Sequence, residues 1–282
     1  MESVRVSERV LPGPPGSRRE NMQRFGGDPL AYMRQLAAEY GDYVRIPLVV
    51  GYGVLLVDPD AIEEVLVRKK RNFVKGRATR ALGALLGNGL LVSEGDFWRR
   101  QRRLAQPAFH KDRIARYGER MVAFGAAMVD RWRDGQEMDI HDEMVRVTLA
   151  IVADALFSAD VSGDAEAVGQ SLATTLWHFQ WRSTNGFLVP VWLPVQANRM
   201  FMAARKRLDR IVNGIIAGRK ESGERHDDLL DMLLAARDED GSGMSPRQLR
   251  DEVMTLLLAG HETTANTLTW TFLLLGQHPA VE

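Results

Sequence analysis

Two short stretches of the chain combine residue types that can do chemistry. The first is Ala259-Gly260-His261-Glu262-Thr263-Thr264, set inside an otherwise apolar run. At helical spacing Leu256, Ala259, Gly260, Thr263, Thr267 and Trp270 share one face. Ala259 and Gly260 leave no bulk there, so a large flat group can lie against the backbone, with the Thr263 hydroxyl beside the gap. Glu262 points to another side, toward solvent or a proton relay. A hydroxyl and a carboxylate beside a small-residue notch make a proton-delivery pair. The same residues also suit a helix–helix crossing at Gly260, with the threonines bonded back to their own helix carbonyls. Helix geometry alone favours that second explanation.

The second stretch is Trp98-Arg99-Arg100-Gln101-Arg102-Arg103. Trp98 and Arg102 fall on one helical face. An indole N–H beside a guanidinium forms a clamp for a carboxylate or phosphate. Arg99 and Arg103 share the adjacent face and present positive charge outward. A solvated basic helix with Trp98 in the core is the competing explanation. Recognition of nucleic acid is disfavoured, because the basic cluster is single and Lys+Arg and Asp+Glu balance at 37 each.

Other chemistries are thinly supported. The six histidines are scattered without metal-ligand spacing, and the absence of cysteine excludes disulfides, thiolate metal sites and cysteine nucleophiles within these residues. There is no P-loop, no GxGxxG after a strand and no GxSxG. The chain has 282 residues, 45% of them hydrophobic and 26% charged, as in ordinary globular domains. No apolar run reaches membrane-spanning length and the N-terminus has no signal-peptide pattern. The expectation is a soluble, cytoplasmic, single-domain protein over 1–282, with no membrane and no nucleic acid among its partners.

The elements that position these residues are mostly helices. Ser245 and Gln248 form a capping box and Pro246 suits the first turn, so a helix is expected to run to about Gln277, with Pro279 beyond. Its centre is apolar on nearly every side, which argues for burial. Upstream, residues 1–27 read as irregular, with Leu11–Gly16 crossing a surface. Asp28 caps a helix to Tyr40; Tyr43–Pro47 and Val49–Val57 read as two short strands; Asp58-Pro59-Asp60 opens a helix over Ala61–Lys70. Residues 71–95 form a long mobile glycine-rich loop with a short helix near 78–86. Asp96 caps a helix over Phe97–Ala105. Helices follow at Asp112–Asp134, His141–Phe157, Asp164–Arg182, Ala197–Gly218 and Asp227–Arg237, with a strand at Glu137–Ile140. Asn185–Gln196 is an apolar, proline-broken segment and Asp238–Gly243 a polar turn. The fold class is mainly α with a small N-terminal β-sheet.

Together, in this order, the two stretches resemble motifs of the cytochrome P-450 family of heme-thiolate monooxygenases, soluble bacterial type. Ala259–Thr264 is similar to the oxygen-activation motif, and Trp98–Arg102 to the tryptophan-to-arginine clamp for a heme propionate. The resemblance implies heme b against Ala259 and Gly260, with Trp98 and Arg102 holding a propionate. Thr263 would steer a proton to the oxygen being activated, relayed by Glu262. Leu90, Leu91, Leu256 and Thr267 would line the substrate pocket, and Phe187–Leu193 would be a lid over it. The implied reaction inserts one oxygen atom from O2 into an apolar small molecule. Electrons would come from NAD(P)H through a reductase and a ferredoxin- or flavodoxin-type donor, docked near Arg99 and Arg103. The N-terminal strands and Leu11–Gly16 resemble the family's small sheet and hinge.

The sequence departs from the family at its C-terminal side. The Glu-x-x-Arg helix and the heme-cysteine loop belong after the long helix, and neither occurs between that helix and Glu282. The axial thiolate drives O–O cleavage, so the 282 residues are expected to be an inactive fragment: the N-terminal and distal part of the fold, truncated after the long helix, with no iron ligand of its own. The alternative is a non-catalytic helical relic that binds heme or another ligand.

Overall fold

The computed structural model describes residues 11–48, 51–185, 188–237 and 241–281. Readings that fall on 1–10, Val49, Val50, Gly186, Phe187 and Asp238–Asp240 lie outside the described residues. The chain forms two compact units: Met1–Ala78 with Phe179–Leu193, and Thr79–His178 with Pro194–Glu282.

In the first unit, α1 (Arg18–Gly27) occupies a stretch whose sequence reads as irregular. A capping box starts it: the Ser17 hydroxyl accepts from the Glu20 amide at 3.2 Å, and the Glu20 carboxylate accepts from the Ser17 amide at 2.7 Å. The helix escapes apolar periodicity because its buried residue is polar. Asn21 donates to the carbonyls of Pro15 and Ser17 and accepts from the Tyr32 hydroxyl. α2 (Pro29–Tyr40) is capped by Asp28 and stopped by Gly41 at φ 85, as its sequence predicts. β1 (Tyr43–Pro47) and β2 (Tyr52–Leu56) pair antiparallel, Tyr43 opposite Leu56 and Pro47 opposite Tyr52. Tyr32 and Leu36 of α2 pack on Val44, with Phe25 and Leu55 around them. The Pro12 carbonyl accepts from the Arg45 amide at 2.8 Å, so the Pro-Gly stretch runs beside β1. α3 (Pro59–Glu63) is shorter than expected; the chain widens into a π-helical turn at Glu64–Arg68 and then a 3-10 turn at Lys70–Asn72.

The chain continues through α4 (Arg77–Ala81) and α5 (Gly83–Leu86) to α6 (Gly95–Ala105). Glu94, not Asp96, holds the N-cap position of α6, and Asp96 in the first turn pairs with Arg99 at 3.0 Å. α7 (Lys111–Val129) ends before the expected Asp134. The expected strand at Glu137–Ile140 does not form. Asp139 instead caps α8 (Ile140–Phe157), its carboxylate accepting from the His141 amide at 2.8 Å. α9 (Ala165–Thr184), α10 (Gln196–Ser222) and α11 (Leu229–Ala235) precede α12 (Pro246–Gln277).

The second unit is built around α8 and α12. Met144, Val145 and Val147 of α8 meet Ala265 of α12, flanked by Ile151 and Leu268. Leu229, Leu230 and Leu233 bury one face of α11 completely. Arg219 of α10, itself buried, ties three helices: it pairs with Asp228 at 2.7 Å, at the cap of α11, and donates to the Phe157 carbonyl of α8 at 2.8 Å. A buried cation with every partner satisfied fixes the setting of these helices more than it stabilises them.

Candidate active site

α12 changes character along its length. The Ser245–Gln248 capping box forms as expected, with bonds of 3.2 and 2.8 Å. From Leu249 to Leu258 almost every residue is buried; beyond it Ala259, Thr263, Thr264, Asn266 and Thr267 are exposed, while His261 and Ala265 stay buried. The motif thus sits where the helix leaves the core, with the Ala259–Thr263–Thr267 side open. Leu256, just before it, is half-buried.

Gly260 is a crossing point. A Cβ at this position would stand 3.0 Å from Cγ2 of Val152 on α8. The threonine hydroxyls bond back along the helix: Thr263 to the Ala259 carbonyl at 2.9 Å, Thr264 to Gly260 at 3.0 Å, Thr267 to Thr263 at 2.9 Å. Packing and back-bonding, the plainer of the two sequence readings, therefore describe these residues as they stand. Back-bonding does not exhaust Thr263, because a hydroxyl that donates keeps its acceptor lone pairs, and rotation frees the proton. Glu262 is half-buried and accepts from the Asn266 side-chain amide at 3.1 Å. His261 is fully buried. Its Nδ1 lies 3.0 Å from the Leu257 carbonyl, which can only accept, so Nδ1 carries the proton. Its Nε2 has no hydrogen-bond partner and lies 3.9 Å from the Glu262 carboxylate. Burial pushes the His261 pKa down, against the smaller opposing effects of Leu257 and Glu262.

α6 presents the second group. The Arg102 guanidinium carbon lies 5.3 Å from the centre of the Trp98 ring, within cation–π range. Trp98 is half-buried and Arg102 exposed, so the pair faces outward as an aromatic shelf carrying a cation. Gln101, between them in sequence, is buried.

Sequence reasoning missed how α6, α12 and the Leu90 loop are joined. Arg250, Asp251 and Glu252 are consecutive, charged and all buried. Arg250 donates to the Leu85 carbonyl at 2.9 Å and to Asp251 at 2.9 Å. Asp251 accepts from the Asn88 amide at 2.9 Å, and Glu252 from the Leu90 amide at 3.0 Å and the Gln101 side chain at 2.9 Å. The glycines explain the close fit. A Cβ on Gly89 would meet Thr255 Oγ1 at 2.1 Å and the Asp251 carbonyl at 2.6 Å; one on Gly87, at φ +62, would strike the Asp251 carboxylate at 2.1 Å. The part of the 71–95 segment read as mobile is thus seated on α12 from Leu85 to Leu90. Three adjacent charges in an apolar helix were the available signal. Leu90 is half-buried and Leu91 is 45% exposed.

The residues present can be tested against a heme. A small-residue face with a hydroxyl, and a cation beside an indole, suit a flat macrocycle with an anionic edge. An axial thiolate is not among them, since the chain has no cysteine, and no group of three His, Asp or Glu suited to a metal occurs among the described residues.

The described residues form a mainly helical chain with one small antiparallel sheet and a long helix that opens at Ala-Gly-His-Glu-Thr-Thr. The family model for cytochrome P450 matches residues 11–282, and the chain belongs to the cytochrome P450 family. It is similar to cyclooctatin synthase of Streptomyces melanosporofaciens, 38% identical over 259 residues, covering 90% of this chain and 56% of that protein. It is 36% identical to cyclooctat-9-en-7-ol 5-monooxygenase of the same organism, over 90% of this chain and 55% of that one. Pentalenene oxygenase of Streptomyces avermitilis is 35% identical, over 90% and 56%. The chain spans little more than half the length of these curated relatives. Among the described residues no helix is long and apolar enough to cross a membrane.

Proposed function

We propose that these residues supply the distal, N-terminal part of one heme-thiolate monooxygenase domain acting in the cytoplasm. The observation that carries this reading is the open Ala259–Thr263–Thr267 side of α12, placed where the helix leaves the core. When bound, heme b supplies the redox-active iron at which O2 is activated. Trp98 and Arg102 hold a propionate, the cation neutralising it and the indole N–H adding a hydrogen bond. Ala259, on the open side, lets the macrocycle approach the helix backbone, while Gly260 seats α8. Thr263, by rotating its hydroxyl away from the Ala259 carbonyl, donates a proton at its Oγ1, and Glu262 replenishes it. Leu90, Leu91, Leu256 and Thr267 exclude water from an apolar substrate. Two relatives are named for acting on cyclooctat-9-en-7-ol and pentalenene, and a compound of that kind suits such a pocket. Electrons come from NAD(P)H through a ferredoxin- or flavodoxin-type donor that meets the Arg99–Arg103 face. With no cysteine of its own, the chain alone is inactive.

The test is a titration of the purified chain with ferric hemin, followed by its absorption band. Binding weakened at least tenfold by Arg102→Leu is expected, and the reduced, carbon monoxide-treated complex should lack the thiolate-type band. Hemin binding indifferent to Arg102→Leu and Trp98→Ala would remove the clamp from its assigned role.

A further inference from the structure

We propose that Glu252 is a positioning residue that sets the Leu90 loop and the Trp98–Arg102 helix against α12 at one point. The carboxylate has two oxygens and each has one partner. Oε2 accepts from the Leu90 amide at 3.0 Å and Oε1 from the Gln101 side-chain amide at 2.9 Å. Glu252 is 1% exposed, so these bonds are made away from water, where an unmade one is costly. The neighbouring contacts fix the same loop from the other side, through Asp251 to Asn88 and Arg250 to Leu85.

The consequence for α6 follows from helix rigidity. Gln101 lies three residues after Trp98 and one before Arg102, in a helix of 11 residues. Pinning the Gln101 side chain sets the rotation of that helix about its axis, and with it the direction of the Trp98–Arg102 shelf. The consequence for the loop is shorter. Leu90 is held by its own backbone amide, so its side chain takes its direction from a residue eight positions before Gly260 on α12. One buried carboxylate therefore sets both the clamp and the roof of the site. This consequence rests on the heme reading; the anchoring itself rests on the hydrogen bonds alone.

The experiment separates the two. Glu252→Leu keeps the volume and removes both acceptors, whereas Glu252→Gln keeps an acceptor for Leu90 while Gln101 turns its amide to accept from the new side-chain N–H. In Glu252→Leu the Asn88–Val92 amides should exchange hydrogen about tenfold faster, and ferric hemin should bind about tenfold more weakly, as expected for losing a buried hydrogen bond. Glu252→Gln should restore both to near the parent values. Gln101→Leu, which cuts only the α6 branch, should weaken hemin binding while Leu90 stays protected. Should Glu252→Leu fail to fold, Gln101→Leu and Glu252→Gln still decide the matter. Loop exchange unchanged in Glu252→Leu overturns the proposal, as does a gain spread equally over α8, or hemin affinity unmoved by Gln101→Leu. Parent protein that binds no hemin removes the heme reading, and the exchange data then judge the anchor on their own.

Discussion

The backbone of Gly260 and the side chain of Val152 meet so closely that a methyl at position 260 would lie 3.0 Å from Val152 Cγ2 and 3.3 Å from Cγ1. The glycine that opens the motif is thus also the point where α8 presses on α12. Gly260→Ala gains helix propensity of about 1 kcal/mol but overpacks the crossing, which costs about 1–3 kcal/mol. The expected net effect is a loss of about 1 kcal/mol. Val152→Ala combined with Gly260→Ala should recover it, a positive coupling that a double-mutant cycle in urea would read. Strictly additive losses would mean the two positions do not meet.

Gly89 makes a sharper case. Its added Cβ would stand 2.1 Å from Thr255 Oγ1 and 2.6 Å from the Asp251 carbonyl, and the carbonyl cannot move without bending α12. Gly89→Ala should lower stability by more than about 3 kcal/mol or displace the loop from α12. Gly83→Ala, whose nearest neighbour would be Val92 at 3.4 Å, should be tolerated. Thermal melts of the two variants side by side test the contrast.

These two glycines show what the sequence could and could not say. Helix identity was legible where caps and apolar spacing agreed, as at Asp28–Tyr40 and Ser245–Gln277. It failed at Arg18–Gly27, where the buried residue is Asn21 and no apolar stripe forms. It failed at Glu137–Ile140, where Asp139 serves as a cap rather than a strand residue. The two stretches proposed to bear chemistry stood out because their residue types are unusual for their setting. The seat of the Leu90 loop was not, since the partners of Asn88 and Leu90 lie 163 and 162 residues away. A long-range bond from a backbone amide to a carboxylate leaves no periodic trace, so Gly87 and Gly89 read as looseness when they mark contact.

Thr263→Ala should leave stability within about 0.5 kcal/mol. The hydroxyl is exposed and its bond to Ala259 runs along its own helix, an arrangement that is neutral to slightly destabilising. Any change in a full-length protein carrying this variant then reports on proton delivery and not on folding. The measurement is oxygen consumed against product formed, with peroxide as the expected surplus. Unaltered coupling would take Thr263 out of its proposed role.

His261 predicts an acid-side loss of stability. Its pKa is lowered by burial from an ordinary value of about 6.5, against the weaker opposing effects of the Leu257 carbonyl and of the Glu262 carboxylate 3.9 Å from Nε2. The folded state therefore binds fewer protons than the unfolded state between the two values, and stability rises with pH across that window. The contribution is complete above about pH 6.5 and is lost as pH falls through the folded value. His261→Leu should flatten that limb relative to the parent chain. Urea midpoints from pH 4 to 8 give the comparison, and parallel curves would contradict it.

Glu252 predicts the opposite sign. Burial raises its pKa above the ordinary value of about 4.5, and the like charge of Asp251 raises it further, while Gln101 and the Leu90 amide pull it down. The folded state then holds more protons than the unfolded state just above pH 4.5, so the cost of the buried anion is felt as pH rises through the folded value. Glu252→Gln carries no such cost and, with Gln101 turned, keeps the same two contacts. The variant should match the parent below about pH 4.5, gain on it as pH rises through the folded value, and hold a constant advantage above that. Because His261 titrates the same way in both chains, the difference between their urea midpoints isolates Glu252. A difference that stays flat with pH would mean the carboxylate is as well solvated folded as unfolded. That result would mean that the Leu90 amide and Gln101 offset its burial in full, and would overturn the predicted rise.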